Sequence, residues 1–366
     1  MKRRWKVLGG LGALLVAGVG VLAAVLSNTA ACAPSPSAAV GPTMKAWVAR
    51  CYGPPEVMAM EDAPVPALAD DRVLVRVHAA GANPLDWHTL RGEPRIMRLS
   101  SGLGAPEDPR VGADFAGVVE QVGKDVTGFA AGERVFGVAA GAFAEFVVAR
   151  PARLAKIPDS ISYEQAAAVP IAAITALQSL RDKGRLQAGQ QVLINGASGG
   201  VGTFAVQIAK ILGAEVTGVC STRNVEMVRG LGADHVIDYT QENFTVSGKR
   251  WDLIIDTVSN HGVFDLTGVL GDDGALVVVG SNDDEAFLGP VWRFLAATLA
   301  DPFVAPRLEG ILADTNAEDL TWLATQMAAG KLRSQIDRRF ALADTDEAIR
   351  YLETGRARGK VVIAVP

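Results

Sequence analysis

At 366 residues the chain is long for a single core and fits two packed domains plus an extension. A net charge of −5, with 20% of residues charged, leaves no basic face for nucleic acid. Cys32, Cys51 and Cys220 lie far apart without C-x-x-C spacing, which argues against a structural zinc and against a disulfide framework.

The chain opens on the basic stretch MKRRWK. Val7 to Leu26 then runs about twenty residues without a charge, the length needed to cross a bilayer. A permanent single-span anchor is the favoured reading. A cleaved secretory signal, with small residues at Ala31-Cys32-Ala33, and a lipoprotein signal ending at Cys32 remain open beside it. Asn28 to Thr43, rich in Ala, Pro and Ser, reads as a linker. The expected location is therefore a membrane. Lys2, Arg3, Arg4 and Lys6 ahead of the span put the rest of the chain on the extracytoplasmic side, an orientation left open against the cytoplasmic one.

From Met44 the pattern becomes that of a globular protein. Strand-like ends flank a Tyr52-Gly53-Pro54-Pro55 turn. Arg72 to Ala80 alternates, with Val73, Val75 and Val77 on one face and Arg76 and His78 on the other. Further strands are expected at Phe115–Val122, Glu133–Phe136 and Ala144–Ala149, giving a small β-rich, barrel-like domain. Ser162 caps a helical connection that runs to Arg181.

The most informative stretch is Gln190 to Asn224. Val192, Leu193 and Ile194 form a continuous apolar run, as in a parallel strand covered on both faces. Gly196, Gly199 and Gly202 follow in G-x-x-G-x-x-G spacing, then a helix opens near Gly200 and a second strand covers Val216 to Val219. Glycines there let the backbone turn sharply and approach a pyrophosphate, while the helix N-terminus supplies unpaired N–H groups. The second strand ends in Cys220-Ser221-Thr222-Arg223-Asn224, without the carboxylate that would hold a ribose 2′-hydroxyl. Hydroxyls and a guanidinium suit a 2′-phosphate, so NADPH is expected over NADH.

Short apolar strands continue at His235–Asp238, Trp251–Thr257 and Ala275–Gly280, completing a doubly wound α/β sheet. Leu288 to Leu312 is unusually apolar, and reads either as a helical lid or core packing or as a membrane-facing access route for a lipophilic substrate. A helix from Ala317, a strand at Ile336–Phe340, a helix from Thr345 and a strand at Gly359–Val365 close the chain, the strands returning to the first domain.

Ordered motifs from Met44 to Pro366 carry a resemblance. They are YGPPEV at Tyr52, NPLDWHTLRG at Asn83, GADFAGVVEQVG at Gly112, AAAVPIAAITAL at Ala166, NGASGGVG at Asn195, LGADHVIDY at Leu231 and ARGKVVI at Ala357. The chain resembles the medium-chain dehydrogenase/reductase superfamily, in its zinc-independent quinone-oxidoreductase-like branch. The resemblance implies a GroES-like catalytic domain (44–165, completed by 317–366) interrupted by a Rossmann domain (166–316); the membrane segment (1–27) and linker (28–43) read from composition precede it. Asn83 and Ala113 stand where zinc alcohol dehydrogenases carry cysteine and histidine ligands, so no zinc is expected.

The same resemblance implies hydride transfer to a quinone or α,β-unsaturated carbonyl, and a homodimer through the sheet edge at Ala275–Gly280. Asn83, His88 and Tyr52 are the catalytic candidates: Asn83 for orientation or oxyanion stabilisation, His88 as proton donor, Tyr52 at the cleft mouth. Asp86 reads as a structural acceptor. Thr175, Gly196, Ser198, Gly199, Gly200, Val201, Gly202, Ser221, Arg223 and Tyr239 are the candidates for cofactor binding. A zinc-free carbonyl reductase or alcohol dehydrogenase, and an inactive NADPH-binding sensor, are the alternatives.

Overall fold

The computed structural model describes residues 23–35, 41–280 and 304–366. The first strands after the extension, β1 (Thr43–Ala49) and β2 (Met58–Pro64), form an antiparallel pair. A seven-stranded sheet then collects β3 (Val73–Ala82), β4 (Asp114–Val122), β5 (Arg134–Val138), β6 (Phe146–Ala149) and β7 (Leu154–Lys156) with the last two strands of the chain, β14 (Ile336–Ala341) and β15 (Lys360–Ala364). Its order is β14-β15-β3-β4-β5-β7, with β6 also pairing β3. The C-terminal strands thus return to the first domain. The buried side chains of β3, Val73, Val75 and Val77, point into this domain's core with Phe115, Phe143 and Ile363.

The second sheet has six strands, all parallel: β8 (Gln191–Asn195), β9 (Glu215–Cys220), β10 (His235–Asp238), β11 (Trp251–Asp256), β12 (Leu270–Val278) and β13 (Arg307–Gly310). Their order, β10-β9-β8-β11-β12-β13, reverses direction beside β8, and such a switch point opens a crevice at the carboxyl ends of the strands. Val192, Leu193 and Ile194 of β8 are wholly buried, as a strand covered on both faces requires. The expected cap also forms: the Ser162 hydroxyl accepts from Gln165 N at 3.2 Å, and the Gln165 side chain accepts from Ser162 N at 3.1 Å.

Three expectations are corrected. The first is the membrane location. Among the described residues no helix is long and apolar enough to cross a bilayer. Most of the expected span lies outside the described residues. Its described end, a short helix at 23–27, packs against protein: Leu26 is fully buried, and Arg98 donates to the carbonyls of Leu26 (2.9 Å) and Asn28 (3.3 Å).

The second concerns the cysteines. Cys32 and Cys51 form a disulfide with Cα atoms 4.6 Å apart, fastening the stretch read as a linker to the catalytic domain. The third concerns the sheet edge. Ala275–Gly280 does not supply the outermost strand, because β13 pairs beyond β12. The apolar stretch 288–312, expected as a lid or access route, runs into strand β13, while its residues 288–303 lie outside the described residues.

Candidate active site

The glycine-rich turn joins β8 to the helix Gly200–Ile211, and each glycine in it answers a different constraint. Gly196 has φ +88° and is pressed against Thr257 and Val258. A Cβ at Gly202 would lie 2.1 Å from the carbonyl oxygen of Gly196, so the helix packs on the turn only without a side chain there. Gly199, the N-cap, is different: a Cβ would meet only Gly196 O, at 3.5 Å. Its freedom is therefore not required by packing, and it borders the N–H groups of Gly200, Val201 and Gly202 at the helix mouth. Such a mouth fits a pyrophosphate.

The outer end of this crevice is organised by a residue the sequence reading did not single out. Asn224, 4% exposed, donates to the hydroxyls of Ser198 (3.0 Å) and Ser221 (3.3 Å) and accepts from Arg358 Nε at 2.9 Å. Arg223 donates to the carbonyl of Arg356 at 2.9 Å, which brings the C-terminal loop to the end of β9. Tyr239 follows β10, 56% exposed, its N–H bonded to Cys220 O at 3.1 Å. Asp238, beside it, is occupied by the hydroxyl and N–H of Thr240 and the side chain of Gln241. These residues fit a nicotinamide dinucleotide: helix-mouth N–H groups for its pyrophosphate, and hydroxyls with guanidinium groups for its adenosine end.

On the catalytic side, sheet register brings distant residues together. Val361 of β15 lies opposite Ala82, and Gly81 of β3 opposite Asp114. Lys360, Asn83 and Asp114 are thereby adjacent, and all three are buried. Asn83 begins the helix Pro84–Arg91, where Asp86 Oδ2 accepts from Asn83 N at 2.7 Å. The Asn83 amide is fully engaged. Its nitrogen donates to Gly81 O (3.2 Å) and Asp114 Oδ2 (3.0 Å), and its oxygen accepts from Lys360 Nζ. Both amide protons are thus committed inside the protein, which suits orientation of the site rather than direct stabilisation of an oxyanion.

Electrostatics follow from burial. Asp86 is pushed up to about 7, by burial first and then by the neighbouring Asp114, against the Asn83 N–H. Burial also raises Asp114 to about 6, opposed by Lys360, Asn83 and Ile171. The Lys360 ammonium is pushed down by the same burial, although Asp114 Oδ2 lies 3.7 Å away. The shifts of the two partners agree that dehydration outweighs their attraction, as expected for a buried pair.

The remaining candidates stand apart from this cluster. The Tyr52 hydroxyl donates to Gly102 O at 2.9 Å and meets Ser101 Oγ at 2.8 Å, with its ring under the Arg98 guanidinium, so it forms part of a wall. His88 stacks on Trp87, and its Nδ1 donates to Glu93 O at 2.9 Å. Burial holds its pKa down, and the neutral ring then offers Nε2 as an acceptor rather than as an acid. Thr175, 9% exposed, bonds back to Ile171 O at 2.7 Å within the helix Pro170–Gln178.

Known proteins resemble this chain in sequence and fold. Residues 69–159 match the alcohol dehydrogenase GroES-like domain, and 231–363 match the zinc-binding dehydrogenase family. The 2-methylene-furan-3-one reductase of Solanum lycopersicum is 33% identical over 352 residues, covering 92% of this chain and 83% of the relative. The chloroplast envelope quinone oxidoreductase homolog of Arabidopsis thaliana is 30% identical over 315 residues, covering 82% and 92%. Among solved structures, the quinone oxidoreductase from Coxiella burnetii superposes with a TM-score of 0.77 at 32% identity, covering 88% of this chain and all of that one.

The chain belongs to the medium-chain dehydrogenase/reductase superfamily, in its zinc-independent quinone-oxidoreductase-like branch.

As a member of that superfamily it is an NAD(P)H-dependent oxidoreductase of the quinone- and enone-reductase type. One of the matching families is named for zinc, but the donor set here does not fit that metal. The positions of the superfamily's cysteine and histidine ligands hold Asn83 and Ala113, and among the described residues no group of three or more His, Cys, Asp or Glu could bind a metal ion. Lys360 and Arg358 lie in the superfamily motif ARGKVVI, which was visible in the sequence; that they pair with Asn83 and Asn224 was not, because pairing across the chain depends on register.

Proposed function

We propose that this chain reduces a quinone or an α,β-unsaturated carbonyl with NADPH as the hydride donor. The observation that carries the cofactor choice is the Asn224 network, which holds Ser198, Ser221 and Arg358 at one end of the crevice beside Arg223. Two guanidinium groups and two hydroxyls there favour a dianionic 2′-phosphate. A bound NADPH supplies the hydride. The N–H groups of Gly200 to Gly202 would receive its pyrophosphate, and Tyr239 would border the adenosine.

An activated acceptor is the substrate class that these residues suit. A quinone or enone delocalises the arriving charge onto oxygen, so modest hydrogen bonding can stabilise it. Asn83, with its amide committed to Gly81, Asp114 and Lys360, would orient the pocket without giving up a proton. The half-buried, neutral His88 would serve as a hydrogen-bond acceptor from its place on the helix Pro84–Arg91.

Steady-state kinetics with a panel of quinones, enones and simple ketones test the reading, with NADPH and NADH as alternative donors. The expected result is turnover of quinones or enones, with Arg223→Ala raising the KM for NADPH about 10- to 100-fold, the loss of one charge-assisted contact. The KM for NADH should change little. Equal loss for both donors removes the 2′-phosphate assignment. Turnover of ketones alone points to a zinc-free carbonyl reductase, and binding without turnover to a sensor.

A further inference from the structure

Lys360 occupies a place that the reading above leaves without a role. It begins β15 in the catalytic sheet, with 3% of its surface exposed. Its stem reaches the other domain: a Cβ added at Gly200, the first residue of the dinucleotide-binding helix, would lie 3.4 Å from Lys360 Cδ. Its ammonium donates to Asn83 Oδ1 and lies 3.7 Å from Asp114 Oδ2.

Asp114 in turn accepts from Ile171 N at 3.2 Å, in the first turn of the helix that carries Thr175. One side chain therefore runs alongside the pyrophosphate turn, bonds the Asn83 loop, and acts on the Thr175 helix through Asp114. A bare methylene chain would fill the same space, so packing alone does not explain a buried ammonium whose dehydration is costly.

We propose that Lys360 is a positioning residue for the reductase reaction, its ammonium fixing Asn83 and the Pro170–Gln178 helix in register with the dinucleotide-binding turn. The inference rests on placing hydride transfer in the crevice between Asn83 and Gly200. The ammonium acts through Asn83 and Asp114 and exchanges no proton with substrate. Its loss should be felt in kcat after the fold has been restored.

The test compares Lys360→Met, Asp114→Asn and the double variant. Thermal midpoint, kcat, and KM for both NADPH and a quinone are read for each. Lys360→Met leaves Asp114 buried without a cation, so a lowered midpoint and a kcat reduced about 10- to 100-fold are expected. The double variant removes both charges and should recover the midpoint while kcat stays at least about tenfold down.

Recovery of kcat together with the midpoint would reduce Lys360 to a neutraliser of Asp114 and overturn the proposal. So would a Lys360→Met kcat within about twofold of the unsubstituted enzyme. If Lys360→Met fails to fold, the double variant is compared with Asp114→Asn, which keeps the ammonium; equal kcat in those two is again the overturning result. Absence of quinone or enone turnover in the unsubstituted protein would instead strike the reading of the crevice, so the two failures are distinct.

Discussion

The glycine turn at 196–202 and the Asn83–Asp114–Lys360 cluster face the same crevice but are made in opposite ways. The turn is built from backbone within seven consecutive residues, and side chains are absent where a ligand or a carbonyl must come close. The cluster is built from side chains, and its Asn83–Lys360 contact spans 277 residues of sequence. A local backbone site tolerates changes in distant strands. A side-chain site assembled by register fails when any one strand shifts, because every member is buried and each satisfies another.

The sharpest way to break this contrast is to add one methyl group at two positions of the turn. Gly202→Ala would drive a Cβ to 2.1 Å from Gly196 O and 2.8 Å from Ala197 Cα, both backbone atoms. The helix must then lift from the turn, at a cost of about 3 kcal/mol or more in urea unfolding. Gly199→Ala meets only Gly196 O at 3.5 Å, so its stability should stay within about 1 kcal/mol. Its NADPH affinity should still fall by about tenfold or more, because a methyl group would stand where the pyrophosphate approaches. Equal stability of the two variants would show that packing does not distinguish the glycines.

This difference explains what was legible in the sequence. The dinucleotide turn, the buried strand Val192–Ile194 and the Ser162 cap are local patterns, and each formed as expected. The catalytic candidates were placed by resemblance, but the partners that fix Asn83 could not be read. Lys360 and Asp114 become its neighbours only once β15 pairs with β3 and β3 with β4. Asn224 was passed over for the same reason, since its bond to Arg358 joins the Rossmann and C-terminal segments. Cys32 and Cys51 looked unpaired because spacing carries no information on a bridge set by docking of the extension. The apolar run ending at Leu26 matches a bilayer in length, yet Leu26 itself is buried against protein, and length alone does not separate those environments.

The pH dependence of stability probes the cluster and leaves the turn untouched. Asp86 rises from an ordinary 3.8 to about 7, so the folded protein keeps a proton that the unfolded chain releases across that window. Folded stability should therefore fall as pH rises from about 4 to 7, by at most about 1.4 kcal/mol per pH unit from this group. Asp114, raised to about 6, adds the same sign over the lower part of the window. Lys360, pushed down, contributes the opposite slope at alkaline pH, where the unfolded chain holds its proton longer. Asp86→Asn should flatten the profile most clearly between pH 6 and 7, where Asp86 titrates above Asp114. Urea unfolding at several pH values checks this, and an unchanged slope in that interval would remove Asp86 as its source.

The two regions meet at Gly200, where the smallest effect is expected. An added Cβ would touch Lys360 Cδ at 3.4 Å and Gly359 O at 3.7 Å, both ordinary contacts. Gly200 opens a helix, and alanine there reduces the freedom of the unfolded chain, so Gly200→Ala should change stability by less than about 1 kcal/mol and can raise it. If Lys360 couples the turn to Asn83, the methyl group, resting in contact with the lysine stem, will lower kcat by no more than about two- to threefold, far less than removing the ammonium. A loss as deep as that of Lys360→Met would mean that the stem, and not the charge, carries the coupling. The turn would then depend on the same distant register as the cluster, and the contrast between a local site and an assembled one would fail where the two touch.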